Sequence, residues 1–388
     1  MTVTDPVWEQ IRQGRPPSAA AVADVLGPAR VTLGERGLES ARDDLAAQVL
    51  GAGPLEPLLA DPRVTDVLVN AASGVWVERD GLLARAGVDV GSEAQVRRLA
   101  VHLAGLAGRR LDETCPWVDG LLPGGVRLHA VLPPLAADGT HISLRVPRRV
   151  APTLTGLGEL GAFGPGWLPV LRALVRRRRA FVVTGGTGSG KTTLLGALLG
   201  EVDGGERLVV VEDVRELAVD HPHVVRLQAR AANVEGRGEV TLTALVRQSL
   251  RMRPDRVVVG EVRGGEVREL LTALNTGHEG GCGTLHANAC TDVVARFEAL
   301  GALAGMSPAA VHAQLLSAIQ VVLHVSRLGG QRRLETIGIL QRADGPAPVV
   351  VPALERGADG EPRRAEGWPR LAATCGLPDD GDVLGMLR

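Results

Sequence analysis

The stretch that decides the fold is Gly185-Gly-Thr-Gly-Ser-Gly-Lys-Thr-Thr193, which fits the phosphate-loop pattern G-x-x-x-x-G-K-[ST]. It follows the apolar run "AFVVTG" (180–185), which predicts a buried strand, and it leads into the predicted helix Lys191–Leu199. Glycines let the backbone N–H groups of such a loop turn toward phosphates, and the helix N-terminus adds favourable partial charge. The motif in this context predicts a nucleoside-triphosphate site that binds ATP and Mg²⁺.

All nine loop residues are candidate nucleotide ligands: Gly185, Gly186, Thr187, Gly188, Ser189, Gly190, Lys191, Thr192 and Thr193. Lys191 is expected to bridge the β- and γ-phosphates, and the hydroxyl of Thr192 is expected to bind Mg²⁺. Lys191 is also the only lysine in the chain, since every other basic residue among the 43 is an arginine. Codon usage accounts for the arginines, but a broad guanidinium fits a phosphate loop poorly, which explains the one exception.

Composition limits the classes of protein to consider. A length of 388 residues suits two domains, and an apolar content of 45% is enough for a buried core. The formal net charge of −1 gives no overall attraction to nucleic acid or anionic lipid. The four cysteines form no C-x-x-C pair, which indicates reduced thiols in the cytosol. The chain shows no leader sequence and no run of 18 apolar residues, so we expect a soluble protein with no direct membrane span.

The first half of the chain has a mixed α/β pattern. Alternating apolar residues at Val64–Asn70 and Gly74–Gly81 predict a hairpin, and Ser92–Gly108 predicts a helix with Ser92 as its N-cap. Two more strands are predicted in "GVRLHAVLPPL" and "HISLRVP", and a Pro- and Gly-rich segment after them predicts a linker.

The second half alternates strands with helices, which is typical of a mostly parallel sheet covered by helices. Strands are predicted in "AFVVTG", "RLVVVED", "HVVRLQAR", "DRVVVGEV" and "CGTLHAN". One helix is predicted in "TLTALVRQSLRM", with Thr241 at its start, and another in "GEVRELLTALNTG", which ends at Gly277. Further helices and a last hairpin are expected to run to about Gln341. We therefore expect a variable helical N-terminus (1–44), an N-terminal α/β domain (45–150), a linker (151–165), an ATPase domain (166–341) and a loosely ordered tail (342–388).

Acidic residues follow two of the predicted parallel strands. Glu212 and Asp213 end one strand, Glu216 lies one turn later, and Glu261 ends another strand. The carboxyl ends of strands in an open parallel sheet face the ligand crevice, where a carboxylate can hold the water shell of a metal or orient an attacking water. Each acid alone could be a solvated helix cap, but together they favour a catalytic site.

Four consecutive motifs give the chain a family resemblance over roughly residues 50–340. In order, they are "GGTGSGKTTLL", "EDVREL", "RMRPDRVVVGEVRGGE" and "NTGHEGGCGTLHAN". They resemble the ATPase superfamily of type II and type IV secretion and pilus assembly. The upstream segments "GPLEPLLADPRVTDVLVN" and "GRRLDETCPWVDGLLPGGVRLHAVLPPLA" resemble its tight-adherence (CpaF/TadA-like) branch. The resemblance implies an α/β fold, with a RecA-like P-loop ATPase domain and a smaller N-terminal α/β domain that covers the nucleotide.

The same resemblance assigns roles to single residues. It makes Glu216 the carboxylate that polarises water, and Glu261 the Walker B acid that acts on Mg²⁺ through water. His286, with His278, would belong to the histidine box that couples phosphate state to domain movement. Arginines of the N-terminal domain would close over the nucleotide and stabilise charge on the transferred phosphoryl group. The matching positions are Arg127 and Arg145, with Arg110 as a weaker candidate.

Two other site assignments stay open on the sequence. His278, Cys282, His286 and Cys290 recur every four residues and are zinc-ligand types, although the glycines among them argue against one continuous helix. The arginine run 176–179 could contact nucleic acid, but it follows a predicted helix whose dipole it complements, and no aromatic residues are interleaved with it.

The function implied by the resemblance is an ATP-hydrolysing motor that powers pilus assembly or protein secretion through an inner-membrane platform. We expect a homo-oligomer, a hexamer by resemblance, located in the cytoplasm and peripheral at the inner face of the cell membrane. The alternative is a DNA-translocating ATPase for conjugal transfer or DNA uptake, although the near-neutral charge argues against nucleic acid as a partner. A nucleotide-gated scaffold and a small-molecule kinase are weaker alternatives.

Overall fold

The computed structural model describes residues 51–147, 151, 153–230, 232, 237–343 and 345–378. The chain folds as two compact units, with the boundary between residues 148 and 149. The predicted N-terminal helices at 1–44 lie outside the described residues. No helix among the described residues is long and apolar enough to cross a membrane.

The first unit is built on an antiparallel sheet of six strands in the order β3-β2-β1-β6-β5-β4. Helix α2 carries a capping box, in which Ser92 and Gln95 satisfy each other's backbone, so the predicted N-cap is confirmed. The core of this unit includes Val96 and Leu103 of α2 together with strand residues such as Val67. The elements are α1 (Glu56–Ala60), β1 (Val64–Asn70), β2 (Val75–Arg79), β3 (Leu82–Ala86), α2 (Glu93–Leu106), β4 (Trp117–Leu121), β5 (Arg127–Val131) and β6 (His141–Arg145).

The second unit has a sheet of nine strands in the order β15-β14-β13-β12-β7-β11-β10-β8-β9. The six strands from β12 to β9 in this order are parallel, and the remaining pairs are antiparallel. The strands are β7 (Phe181–Thr184), β8 (Leu208–Glu212), β9 (Val224–Gln228), β10 (Arg256–Val262), β11 (Cys282–Leu285), β12 (Val321–Leu328), β13 (Gln331–Arg342), β14 (Pro348–Arg356) and β15 (Pro362–Arg364).

Helices cover both faces of this sheet, as the continuous apolar strands predict. Phe181 and Val183 of β7 pack into one hydrophobic cluster and Val182 packs into the other. The first cluster takes side chains from α3, α4, α5 and α10, and the second takes them from α6 to α9. The helices are α3 (Leu154–Glu159), α4 (Leu168–Arg176), α5 (Lys191–Leu199), α6 (Leu242–Ser249), α7 (Glu266–Asn275), α8 (Val293–Leu303), α9 (Pro308–Ala318) and α10 (Trp368–Cys375).

The prediction of a loosely ordered tail at 342–388 is wrong for the part that the structure describes. β14 and β15 extend the sheet, and Leu371 and Cys375 of α10 are buried in its core. Trp167 Nε1 donates a 3.1 Å hydrogen bond to the carbonyl oxygen of Gly360, which fastens this segment to the start of the unit. The predicted linker at 151–165 also contains helix α3, whose Leu154 is fully buried. Gly156 and Gly158 lie within α3, and Pro348 and Pro352 lie within β14, so glycine and proline do not interrupt regular structure here.

Candidate functional site

The phosphate loop connects the buried strand β7 to helix α5 and requires glycine at three positions. Gly185 has a φ of +151°, and a Cβ there would lie 2.2 Å from the carbonyl oxygen of Val325 on β12. Gly188 and Gly190 have φ values of +71° and +98°, a region that only glycine adopts easily. The backbone of the loop is therefore shaped as the sequence motif predicts.

The side chain of Lys191 lies against the loop that it follows. Its Nζ donates hydrogen bonds to the carbonyl oxygens of Gly185 (3.0 Å) and Gly186 (2.8 Å), and the residue is buried. Burial lowers the pKa of the Lys191 ammonium, while the negative charges of Glu261 and Glu216 raise it. The one lysine of the chain thus interacts electrostatically with both predicted catalytic carboxylates.

Glu261 and His286 meet at the same edge of the sheet. Glu261 lies near the end of β10, and His286 directly follows β11, its parallel neighbour. Oε1 of Glu261 lies 2.7 Å from Nε2 of His286, and the same Nε2 lies 3.3 Å from Nζ of Lys191. The structure therefore brings together three of the residues that the sequence motifs single out.

The protonation of His286 follows from these neighbours. Burial, and then the charge of Lys191, lowers the pKa of the imidazole, while Glu261 raises it. A neutral imidazole can donate its Nε2–H to the Glu261 carboxylate, and a lowered pKa favours that neutral form.

Glu212 and Glu216 differ in burial and in role, although Glu212 ends β8 and Glu216 follows shortly after it. Oε1 of Glu212 accepts hydrogen bonds from the backbone N–H groups of Glu216 (3.0 Å) and Leu217 (2.8 Å). Glu212 is 4% exposed, and burial is the main cause that raises the pKa of its carboxyl. Glu216 is exposed and contributes its charge to the surroundings of Lys191. Glu212 therefore fixes the turn that presents Glu216.

The donor groups at the end of the loop suit Mg²⁺. Thr192 is the second residue of α5 and offers a hydroxyl, and Glu261 on β10 offers a carboxylate. Mg²⁺ takes oxygen ligands, and in nucleotide sites it uses one or two protein ligands together with phosphate oxygens and water. Thr192 and Glu261 fit that requirement.

The zinc arrangement gains no support from the positions of its four residues. His278 lies before β11 and His286 follows it, so the two imidazoles are at opposite ends of a strand. The ring Nδ1 of His278 donates a 3.1 Å hydrogen bond to the carbonyl oxygen of Ala273 at the end of α7. Cys282 and Cys290 are buried thiols whose pKa is raised to about 12 by burial. Within the described ranges, no three His, Cys, Asp or Glu side chains are grouped to hold a metal.

In the first unit, Arg127 and Arg145 are cross-strand neighbours. Arg127 begins β5 and Arg145 ends β6, and the two lie directly opposite each other in the register. Nε of Arg145 lies 3.1 Å from Oδ1 of Asp66, in an exposed ion pair. Arg110 lies apart from this pair in the sequence and contacts Asp112. The structure thus places the two stronger arginine candidates next to each other, at the same end of two adjacent strands.

The arginine run 176–179 is used inside the second unit. Nη2 of Arg178 lies 3.5 Å from Oε2 of Glu206, and Nε of Arg179 donates a 2.7 Å hydrogen bond to the carbonyl oxygen of Thr374. These contacts hold the end of α4 to the segment before β8 and to α10, which supports the structural interpretation of the run over a nucleic-acid patch.

Comparison with known sequence families matches residues 48–337 to the family described as "Type II/IV secretion system protein". The chain belongs to this family. The match covers most of both units and includes the phosphate loop, Glu216, Glu261 and His286. The family predicted from the four motifs is thereby confirmed.

Individual members of the type II/IV secretion family resemble the chain over most of its length. A Mycobacterium tuberculosis protein, provisionally named as a conjugal transfer protein, is 56% identical over 313 residues, which cover 79% of this chain and 89% of the relative. The type IV secretion system protein PtlH of Bordetella pertussis is 33% identical over 325 residues, which cover 76% and 95%. The type IV secretion system protein VirB11 of Brucella suis is 32% identical over 262 residues, which cover 61% and 73%.

Solved structures of secretion and pilus ATPases share the fold. The pilus retraction motor PilT with bound ADP matches with a TM-score of 0.51 at 20% identity, over 82% of this chain and 84% of that one. The ATPase DotB of Yersinia pseudotuberculosis matches with a TM-score of 0.50 at 16% identity, over 90% and 85%. At these identities the likeness concerns the fold, and it confirms a RecA-like P-loop ATPase fold with a smaller N-terminal α/β domain.

The sequence motifs do not indicate the role of Glu212 or the position of Arg332 in this member of the type II/IV secretion family. Glu212 was grouped with the catalytic acids, although its burial and its backbone hydrogen bonds make it a support for Glu216. Arg332 on β13 was not selected, yet its Nε donates a 3.1 Å hydrogen bond to the carbonyl oxygen of Gly188 in the phosphate loop. No local pattern distinguishes this arginine from the many others in the chain.

Proposed function

We propose that the chain is an ATP-hydrolysing motor. The observation that carries the proposal is the position of His286 beside the phosphate loop. Its Nε2 lies 3.3 Å from Nζ of Lys191 and 2.7 Å from Oε1 of Glu261. Phosphoryl transfer depends mainly on positioning and on charge stabilisation, and these residues supply both. Membership in the type II/IV secretion family supports the same activity.

Each residue has a distinct part in the proposed hydrolysis. The Lys191 ammonium binds the β- and γ-phosphates, and the loop N–H groups with the N-terminus of α5 hold the remaining phosphate oxygens. Glu216 orients and polarises the attacking water. Thr192, and Glu261 through water, would hold Mg²⁺, which would neutralise charge on the phosphates.

The N-terminal α/β domain would complete this mechanism. We propose that Arg127 and Arg145 close over the nucleotide and stabilise the charge that develops on the transferred phosphoryl group. Their positions directly opposite each other on adjacent strands support this, because both guanidinium groups could then contact one phosphate, Arg145 exchanging its Asp66 partner for it. His278 and His286, on either side of β11, would then pass the state of the phosphate site to the rest of the ATPase domain.

The work done by the motor is proposed from the family. We infer that a ring of subunits, a hexamer, drives an inner-membrane platform that assembles pilus subunits or exports protein, with the motor in the cytoplasm and peripheral at the inner face of the membrane. The upstream motifs favour the tight-adherence branch. The relative from Bordetella pertussis belongs by its printed name to a type IV secretion system, which supports a secretion role.

A second candidate function is DNA translocation in conjugal transfer. The observation in its favour is the 56% identity to a Mycobacterium tuberculosis protein provisionally named for conjugal transfer. Single-stranded DNA should then stimulate ATP hydrolysis, and the stimulation should fall steeply as salt is raised. An ATPase rate that DNA does not change would favour the secretion or pilus motor.

Phosphate release from ATP tests the proposed activity. The wild-type chain should release phosphate with Mg²⁺ present and stop when EDTA removes the metal. Glu216→Gln and Glu261→Gln should each reduce turnover by roughly a hundredfold or more, because each removes a carboxylate needed for the chemistry. Glu279→Gln is the matched control, since Glu279 is exposed and lies before β11, at the end of the strand opposite His286. Wild-type rates in Glu216→Gln would overturn the proposed mechanism.

A further inference from the structure

The hairpin formed by β12 and β13 reaches the phosphate loop. Nε of Arg332 donates a 3.1 Å hydrogen bond to the carbonyl oxygen of Gly188, and a Cβ on Gly190 would lie 3.1 Å from Cδ of Arg332. A Cβ on Gly188 would lie 3.6 Å from Nη1 of Arg327. Two arginines of one hairpin thus contact the loop or lie next to it. Neither arginine belongs to the phosphate-loop motif.

The geometry of the hairpin fixes both arginines. Arg327 on β12 and Arg332 on β13 are direct cross-strand partners, so their side chains leave the same face of the sheet. The connection is the two-residue turn Gly329–Gly330, with φ values of +58° and +84°, which suits the twist of a tight hairpin. On its other edge, β12 pairs in parallel with β7, the strand that leads into the loop. The arginines are therefore held by regular structure.

Guanidinium groups make charge-assisted hydrogen bonds to phosphate oxygens, and Arg327 and Arg332 both lie next to Gly188 of the loop. The anion that the neighbouring loop is built to bind is the polyphosphate of a nucleotide. We propose that Arg327 and Arg332 form a second, cationic wall of the nucleotide site. Arg332 is a positioning residue that orients the loop through Gly188, and Arg327 binds a phosphate of the nucleotide. This inference rests on the proposed function, because it assumes that the loop binds ATP.

The test compares Arg327→Gln and Arg332→Gln with wild-type protein. Binding is measured for ADP and, by competition with a fluorescent ADP, for inorganic tripolyphosphate. Each variant should raise the dissociation constants of both ligands about tenfold, as expected when one charge-assisted contact is lost. Arg327→Lys should recover much of the affinity because it keeps the charge. Arg332→Lys should recover less, because a lysine lacks the Nε–H group that donates to the carbonyl oxygen of Gly188.

Arg342→Gln is the matched control. Arg342 is exposed at the other end of β13, roughly 30 Å from Arg332 by the rise of a strand, so its loss should leave both dissociation constants unchanged. Thermal melting of every variant checks folding. If Arg332→Gln does not fold, the binding measured for Arg327→Gln, a change at an exposed residue, decides the result.

Three results would overturn the inference. One is unchanged affinity in Arg327→Gln, and another is an equal loss in the Arg342 control. The third is a loss for ADP with none for tripolyphosphate, which would place Arg327 at the base or ribose. A wild-type chain that binds no nucleotide at all would instead refute the proposed function, so the two failures are distinguishable.

Discussion

The backbone N–H of Glu216 donates a 3.0 Å hydrogen bond to Oε1 of Glu212, so one carboxylate of the site holds the residue that presents another. Because Glu212 is buried and its pKa is raised, its burial has a cost that the two backbone hydrogen bonds offset. Burial of Glu212 thus lowers the stability of the folded chain somewhat while it fixes the position of Glu216, as is common at functional sites.

Removing this support should reduce turnover more than binding. Glu212→Ala deletes both acceptor contacts, and we expect kcat to fall about tenfold or more while the dissociation constant for ADP changes little. Glu212→Gln keeps an acceptor oxygen at the same position and should retain most of the activity. Steady-state kinetics and ADP titration measure the two effects, with Glu279→Ala as the surface control. A Glu212→Ala variant with wild-type kcat would show that Glu216 needs no such support.

Lys191→Arg should lose nucleotide affinity although the positive charge is kept. Nζ of Lys191 fits between the carbonyl oxygens of Gly185 and Gly186 in a site where the residue is only 7% exposed. A planar guanidinium is too broad for this space, so we expect the dissociation constant for ADP to rise on the order of a hundredfold. Titration with a fluorescent ADP measures it, and Arg342→Lys, the reverse exchange at an exposed position, should have no effect. Near-normal binding by Lys191→Arg would mean that lysine is not required here.

The sequence indicates candidate residues for much of the site because their signals are local. A strand, a glycine-rich loop and a helix in succession identify Gly185–Thr193, and acids or histidines after neighbouring parallel strands must meet at one edge of the sheet. The 2.7 Å contact between Glu261 and His286 is a consequence of the parallel pairing of β10 and β11. The motifs predict that Glu261 faces the ligand crevice, but its contact with His286 depends on a strand order that the sequence does not reveal.

The sequence failed where structure depends on distant pairing. β14 joins the sheet through β13. Of the residues whose composition predicts a loose tail, Gly357 and Gly360 lie between β14 and β15, whereas Pro348 and Pro352 lie within β14 itself. The contact of Arg332 with Gly188 joins residues 144 positions apart, and no periodicity of either segment indicates it. Such contacts follow from tertiary packing, which local propensity does not encode.

The stability of the second unit should fall on mild acidification because of His324. Its Nδ1 lies 3.0 Å from Oγ1 of Thr184, next to the phosphate loop, and burial is the main cause that lowers its pKa from the usual 6.5. Between that lowered value and 6.5 the unfolded chain binds more protons than the folded chain, so the free energy of unfolding decreases as the pH falls through this window.

Urea denaturation at about pH 7.5 and about pH 5.5 measures this loss. We expect His324→Gln to lose less stability between the two conditions than the wild type does, because glutamine does not titrate. Some loss should remain, since the pKa of His286 is lowered as well. An equal pH dependence in wild type and variant would exclude His324 as a contributor.

Arg256 should control stability without affecting nucleotide binding. The residue is 1% exposed, and its guanidinium donates to both carboxylate oxygens of Glu206, at 2.8 and 3.0 Å, and to the carbonyl oxygen of Val175, at 2.9 Å. It begins β10, whereas the phosphate site lies at the carboxyl ends of the parallel strands, so these contacts tie α4 and the segment before β8 to β10 at the opposite edge of the sheet.

Arg256→Met leaves the carboxylate of Glu206 buried without its main partner, which should lower the free energy of unfolding by about 3–5 kcal/mol. The double variant Glu206→Gln/Arg256→Met should recover part of that loss, because the uncompensated charge is then gone. Urea denaturation gives the stabilities, and ADP titration of the folded single variant should give a wild-type dissociation constant. Arg251→Met, at an exposed position before the same strand, is the control and should be nearly neutral. If the double variant were no more stable than the single one, the loss of stability would come from lost packing and not from the unpaired carboxylate of Glu206.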